Sequence, residues 1–207
     1  MSIAVCGFGL LSTPAFGGST QWLNIDFHNS ANASAVPAGF IACALTGGAT
    51  PQNYTFSNLL ATGGNTIQAY TLALTNAATY GSGANLSSDG VYTGHFGPSG
   101  YWKSGLTLSG LPVFSTPATV DVYAVYAWDN QAKAAVITCP ATGGSPILVT
   151  NQGLTIVATN NMTYVGTSAV DAGGNIYATW TGPAAATEGQ IGGMIFVIHT
   201  PCNPVLL

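Results

Sequence analysis

No Asp, Glu, Lys or Arg occurs between positions 27 and 88, and the whole 207-residue chain carries only two lysines, six carboxylates and no arginine. A soluble domain is ordinarily about 25% charged; this chain is 4% charged. That shortage constrains the fold directly. Glu, Lys and Arg are the residues that write the solvent face of a surface helix, whereas Thr, Val and Tyr suit a pleated surface. The sequence is rich in the second set and in Gly and Asn turn formers, so strands and turns are expected, with little helix. The surface must be Ser, Thr, Asn, Gln, Gly and backbone, or be covered by partners. A net charge of −4 spread over so few groups favours a protein of an assembly or of a harsh exterior over a freely diffusing cytoplasmic enzyme.

With 47% apolar residues the chain is of the globular class and long enough to bury a real core. Residues 1–20 read as an apolar, Gly-interrupted arm or edge strand. Its Ile3, Val5, Phe8, Leu10, Leu11 and Phe16 are candidate contacts with a neighbouring subunit. Residues 21–207 read as one domain, with a possible sub-boundary in a loop at 80–100. The longest apolar run, 35–45, is too short to span a bilayer and contains Pro37 and Gly39, so no membrane span is expected. The start lacks the positive charge of a secretory signal. Cys6, Cys43, Cys139 and Cys202 are too far apart for a zinc motif; they are buried thiols or partners in one or two disulfides.

Alternation locates the strands. In the segment 22–28, Trp22, Asn24, Asp26 and His28 share one face and Leu23, Ile25 and Phe27 the other. Strands are also expected at 40–45, 66–75, 146–150, 154–159, 162–167, 175–180 and 194–199, with a surface loop at 80–90. The strongest pattern is 118–139. It reads as a hairpin with Val120, Val122, Ala124, Tyr126 and Trp128 on a buried face, a turn at 130–133, and a return strand ending at Cys139. The opposite face, with Asp121, Tyr123, Val125 and Asp129, is only partly polar, as expected if it too is covered. Many short strands punctuated by Gly, Asn and Pro indicate an all-β antiparallel sandwich, jelly-roll-like.

Catalytic constellations are scarce. Asp26 and His28 lie on one strand face as a hydrogen-bonded surface pair, or as two metal ligands without the rest of a site. His95, Tyr101 and Trp102 belong to the aromatic, Gly-rich segment GHFGPSGYW from position 94. It is a buried corner or a loop that stacks on a sugar. His199 ends an apolar strand as a core-edge residue. No nucleophile elbow or phosphate loop occurs. Asp121 and Asp129 on one strand stand roughly 26 Å apart at about 3.3 Å per residue, too far for a glycosidase pair. Two lysines cannot build a phosphate-binding patch, so nucleic acid is not an expected partner. No catalytic residue, cofactor or metal site is expected.

The segment 110–180 combines VDVYAVYAW from position 120, an Asp-Asn turn, a plain apolar strand, and YVGTSAVDAGGN from position 164. It resembles a β-module of virion proteins of tailed bacteriophages, found in tail-fibre and head-decoration polypeptides, in which a VYAY…DNG hairpin precedes a YVGT…D/N-G hairpin. The resemblance covers about a third of the chain, and residues 160–163 stand where that module has basic residues. It implies a non-enzymatic structural protein of the virion, a capsid decoration (cement) protein or a short fibre or spike subunit. Its partners would be itself, as a homotrimer, and other virion proteins such as the major capsid protein. The alternative is an extracellular, lectin-like adhesin or binding module at the cell surface.

Overall fold

The computed structural model describes residues 18–29, 36, 38–45, 52–64, 68–81, 89–93, 103–126, 134–150, 162–184 and 189–201. These residues form strands β1 (Ser19–Asn29), β2 (Ile41–Leu45), β3 (Gln52–Leu60), β4 (Ala69–Gly81), β5 (Asp89–Thr93) and β6 (Ser104–Ser109). Then follow β7 (Thr119–Tyr126), β8 (Ala135–Thr138), β9 (Pro146–Val149), β10 (Met162–Ala169), β11 (Asn175–Thr181) and β12 (Gln190–Thr200). No helix occurs among the described residues.

The strands make two packed sheets. One runs β10–β7–β12–β1–β2, the other β9–β8–β11–β6–β4–β3. Only β1–β2 is parallel. Strand β5 pairs with both β4 and β12 and so carries the hydrogen-bond network from one sheet to the other. Trp22 of β1 and Thr62, just after β3, exchange two backbone hydrogen bonds of 2.8 Å as a second tie. The architecture is the antiparallel-rich β-sandwich that the composition predicts.

The core lies between the sheets and is supplied by alternate residues of each strand. Leu23, Ile25 and Phe27 of β1, and Val120, Val122 and Ala124 of β7, are wholly buried, with Tyr126 close behind. Trp180, Tyr70, Phe27 and Phe196 are the bulkiest neighbours in the same core. Burying each such side chain contributes roughly 1.5–3 kcal/mol. Where alternation breaks, the backbone explains it. Asn58 (φ 59°) and Asn76 (φ 52°) sit at shifts in the β3–β4 register. Asn tolerates the left-handed region that such a bulge demands.

Two expectations need correction. The segment 118–139 is not a hairpin: β7 pairs with β10 and β12, whereas β8 pairs with β9 and β11. The chain therefore crosses between sheets after Tyr126. The two strands are separated by eight residues, more than the two to five of usual hairpin loops. Likewise β10 and β11 flank a tight turn yet belong to opposite sheets. Alternation reveals that a segment is a strand but says nothing about which strand it pairs with. The expected loop at 80–90 is partly strand, since β4 runs to Gly81 and β5 begins at Asp89. Trp128, the turn at 130–133, the strand expected at 154–159 and the arm at 1–17 lie outside the described residues.

Candidate functional site

Two surfaces concentrate the chemistry of this chain. The first is the outer face of the β10–β7–β12–β1–β2 sheet. Register places its residues in rows across four strands. Thr20, His199 and Thr119 form one row, Trp22, Val197, Asp121 and Thr167 the next, and Asn24, Ile195, Tyr123 and Tyr164 the third. Val125, Ile195 and Val197 are buried here, with Phe40, Tyr123 and Met162 packed on them as a second apolar cluster separate from the core. At its borders Trp22 and Tyr164 stand about half exposed. Tyr123 and Tyr164 meet at 5.3 Å between ring centres, tilted by 59°, within the range of favourable aromatic pairs. The partly apolar outer face expected of β7 is thus real.

A chain of polar side chains crosses the same face. The Tyr164 hydroxyl lies 2.7 Å from Thr167 Oγ1, which donates to Asp121 Oδ1 at 2.5 Å. Asp121 Oδ2 and His199 Nε2 are 2.9 Å apart, and His199 Nδ1 is 3.4 Å from Thr20 Oγ1. Nε2–H donates to the carboxylate, and Nδ1 faces the Thr20 hydroxyl. The order Thr–His–Asp is that of a nucleophilic relay, with the Thr20–His199 contact at 3.4 Å looser than the roughly 2.6–3.2 Å of an engaged pair. Both Asp121 oxygens are also committed. The arrangement ties β10, β7, β12 and β1 together. His199 is therefore less a core-edge residue than one end of this tie. Nothing local in the sequence signals it, because Asp121 and His199 are 78 positions apart.

Asp26 departs most from expectation. Its strand face turns outward at Trp22, yet Asp26 is buried, beside Gly193 of β12 and Ala42 of β2. Burial pushes its carboxyl from 3.8 up to about 7. It is not a surface carboxylate, and the expected Asp26–His28 pair involves a His28 side chain that lies outside the described residues. Cys43 and Cys139 are free and buried, with thiols pushed up by burial to about 12 and about 11, Asp26 adding to the rise at Cys43. These thiols are inert small hydrophobes. Cys6 and Cys202, the arm residues Ile3, Val5, Phe8, Leu10, Leu11 and Phe16, and the loop residues His95, Tyr101 and Trp102 all lie outside the described residues. Among the described residues no group of three or more His, Cys, Asp or Glu could hold a metal ion, and no helix is long and apolar enough to cross a membrane.

The second surface is a cleft of about 410 Å³ on the other sheet. Its floor is β6 and β11, with Thr75 of β4 on one side and residues 140–142 and the end of β10 on the other. The turn after β10 builds its most organised corner. Asp171 Oδ1 accepts from the backbone N–H groups of Gly173 and Asn175 at 2.8 Å each, and from Asn175 Nδ2 at 3.3 Å. Oδ2 accepts from the Tyr177 hydroxyl at 3.1 Å. The Asn175 backbone bond first, then those from Gly173, Tyr177 and the Asn175 side chain, hold the Asp171 carboxyl below its ordinary range. The turn closes through Gly174 (φ 75°), where a Cβ would meet the Leu111 carbonyl oxygen at 2.6 Å. The motif VDAGGN is legible as a turn in sequence; that it aims a carboxylate into a cleft is not, because Thr75, Gly105 and Thr107 come from distant strands.

Comparisons with protein-family models, with curated proteins and with solved structures found no match.

Proposed function

We propose that this chain is a non-enzymatic structural protein of a tailed-phage virion, a capsid decoration protein or a short fibre or spike subunit, working as a homo-oligomer, a trimer, beside other virion proteins. The observation that carries the reading is the outer face of the β10–β7–β12–β1–β2 sheet. It has its own apolar cluster and half-exposed Trp22 and Tyr164, while Asp121 and His199 are bonded to each other and Asp26 is buried. Among the described residues, the exposed charged groups of this face are paired with each other, which leaves little to attract a charged partner. Another copy of this equally charge-poor chain matches it, through aromatic contact and neutral hydrogen bonds. The arm at 1–17 would add apolar contact area. The likeness of residues 110–180 to virion β-modules points the same way.

The test is whether the protein travels with particles. Virions purified on a density gradient from the source culture should contain the chain in stoichiometric, repeated amounts. Its absence from intact particles, with the protein present free in the medium, would overturn the proposal in favour of a secreted binding module.

A further inference from the structure

We infer that the cleft on the β6–β11 face binds an uncharged glycan, with the Tyr177 ring as its platform and the Asp171 carboxylate as its fixed acceptor. The inference does not depend on the virion reading, because a fibre subunit and an adhesin would use such a site alike. A cleft of about 410 Å³ lies within the range of small-molecule sites. Its lining selects the class of ligand. Thr75, Thr107 and Thr179 bring hydroxyls from three adjacent strands, and Asn175 adds an amide. Among the described residues no lysine, arginine or histidine lines it, so an anionic sugar would meet Asp171 with nothing there to neutralise either charge. A purely apolar ligand would strand these polar groups. A neutral polyol with a C–H face satisfies both.

The recognition groups are held in place before any ligand arrives. Three donors fix Asp171 Oδ1, which leaves Oδ2 with acceptor capacity beyond its single bond from Tyr177. Because Asp171 stays ionised, a sugar hydroxyl would donate to it in a charge-assisted bond, the stronger kind. Tyr177, anchored through its hydroxyl, keeps 45% of its surface exposed. An anchored ring loses little freedom when a sugar stacks on it. Gly105 keeps the floor open. A Cβ there would stand 2.6 Å from Thr75 Oγ1, the atom that accepts the Gly105 N–H at 3.1 Å.

The test is a glycan array carrying neutral polymers (dextran, mannan, maltoheptaose, cellohexaose) and anionic ones (heparin, polysialic acid), followed by calorimetric titration of any glycan retained. Full-length protein should retain at least one neutral glycan and no anionic one. Tyr177→Ala should weaken that binding by about tenfold or more, and Thr107→Val by several-fold, with melting temperature recorded for each. Tyr164→Ala, on the opposite sheet, should leave it unchanged. Retention of no neutral glycan, of anionic glycans only, or undiminished binding by Thr107→Val and a folded Tyr177→Ala would each overturn the inference. If Tyr177→Ala fails to fold, Thr107→Val, which keeps shape and removes one hydroxyl, decides alone. Particle association tests the proposed function separately, so either idea can fail without the other.

Discussion

Asp26 shows how a single residue can escape a sequence reading. Two-residue periodicity places it correctly on the face of Trp22 and Asn24, but its burial is decided by β12 and β2, which flank β1 there. The consequence is measurable. The unfolded chain releases this proton near 3.8, whereas the folded protein keeps it until about 7. The carboxyl therefore contributes stability that is fully present below about pH 4, declines as pH rises, and is gone above about pH 7. Melting temperature should fall across that window in the native protein, and Asp26→Asn should flatten the fall while leaving the far-ultraviolet spectrum unchanged. A parallel decline in the variant would show that another group is responsible. Val122 is the opposite case, a residue whose wholly buried place alternation alone foretells. Val122→Asp buries a charge without a partner and should cost upwards of about 3 kcal/mol, enough to leave little folded protein in a melting experiment. The Asp121–His199 bond belongs with Asp26: it exists only because β7 and β12 are neighbours.

At the scale of elements, most strands were legible and their partners were not. β1, β2, β7, β8, β9, β10, β11 and β12 fall where alternation and turn residues put them, within a few positions, whereas β3, β5 and β6 were not foreseen. The pairing of β7 with β12 and β10 was hidden, because local pattern reports which residues face a core and not which strand lies alongside. The expected hairpin at 118–139 failed for that reason. Nuclear Overhauser contacts across strands check the corrected topology. Val122 should show them to Phe196, its register partner, and Ile137 to Ile147 and Trp180. Backbone contacts between β7 and β8 in place of β7–β12 would restore the hairpin and refute the sandwich order. The turn after β10 offers an independent check. Gly174→Ala forces an L-residue to φ 75° and drives its Cβ towards the Leu111 carbonyl. It should destabilise by more than about 1 kcal/mol, which for a chain of this size lowers the melting temperature by about 2–4 °C or more. An unchanged melting temperature would mean that this turn relaxes freely.

For the molecule as a whole, charge scarcity foretold the all-β class and the need for neutral polar cover, and the two sheets bear out the first. The cleft over β6 and β11 was invisible in sequence because four separate stretches of chain compose it. The proposed function meets the scarcity by burying surface against another chain, at the face where half-exposed Trp22 and Tyr164 flank the second apolar cluster. Sedimentation velocity on the full-length protein, at micromolar concentration and physiological salt, tests that most directly. The protein should sediment as a discrete oligomer of the 20.9 kDa chain, with Trp22→Ser combined with Tyr164→Ser shifting it towards folded monomer. A full-length chain that sediments as a soluble, folded monomer under those conditions would overturn the proposed assembly.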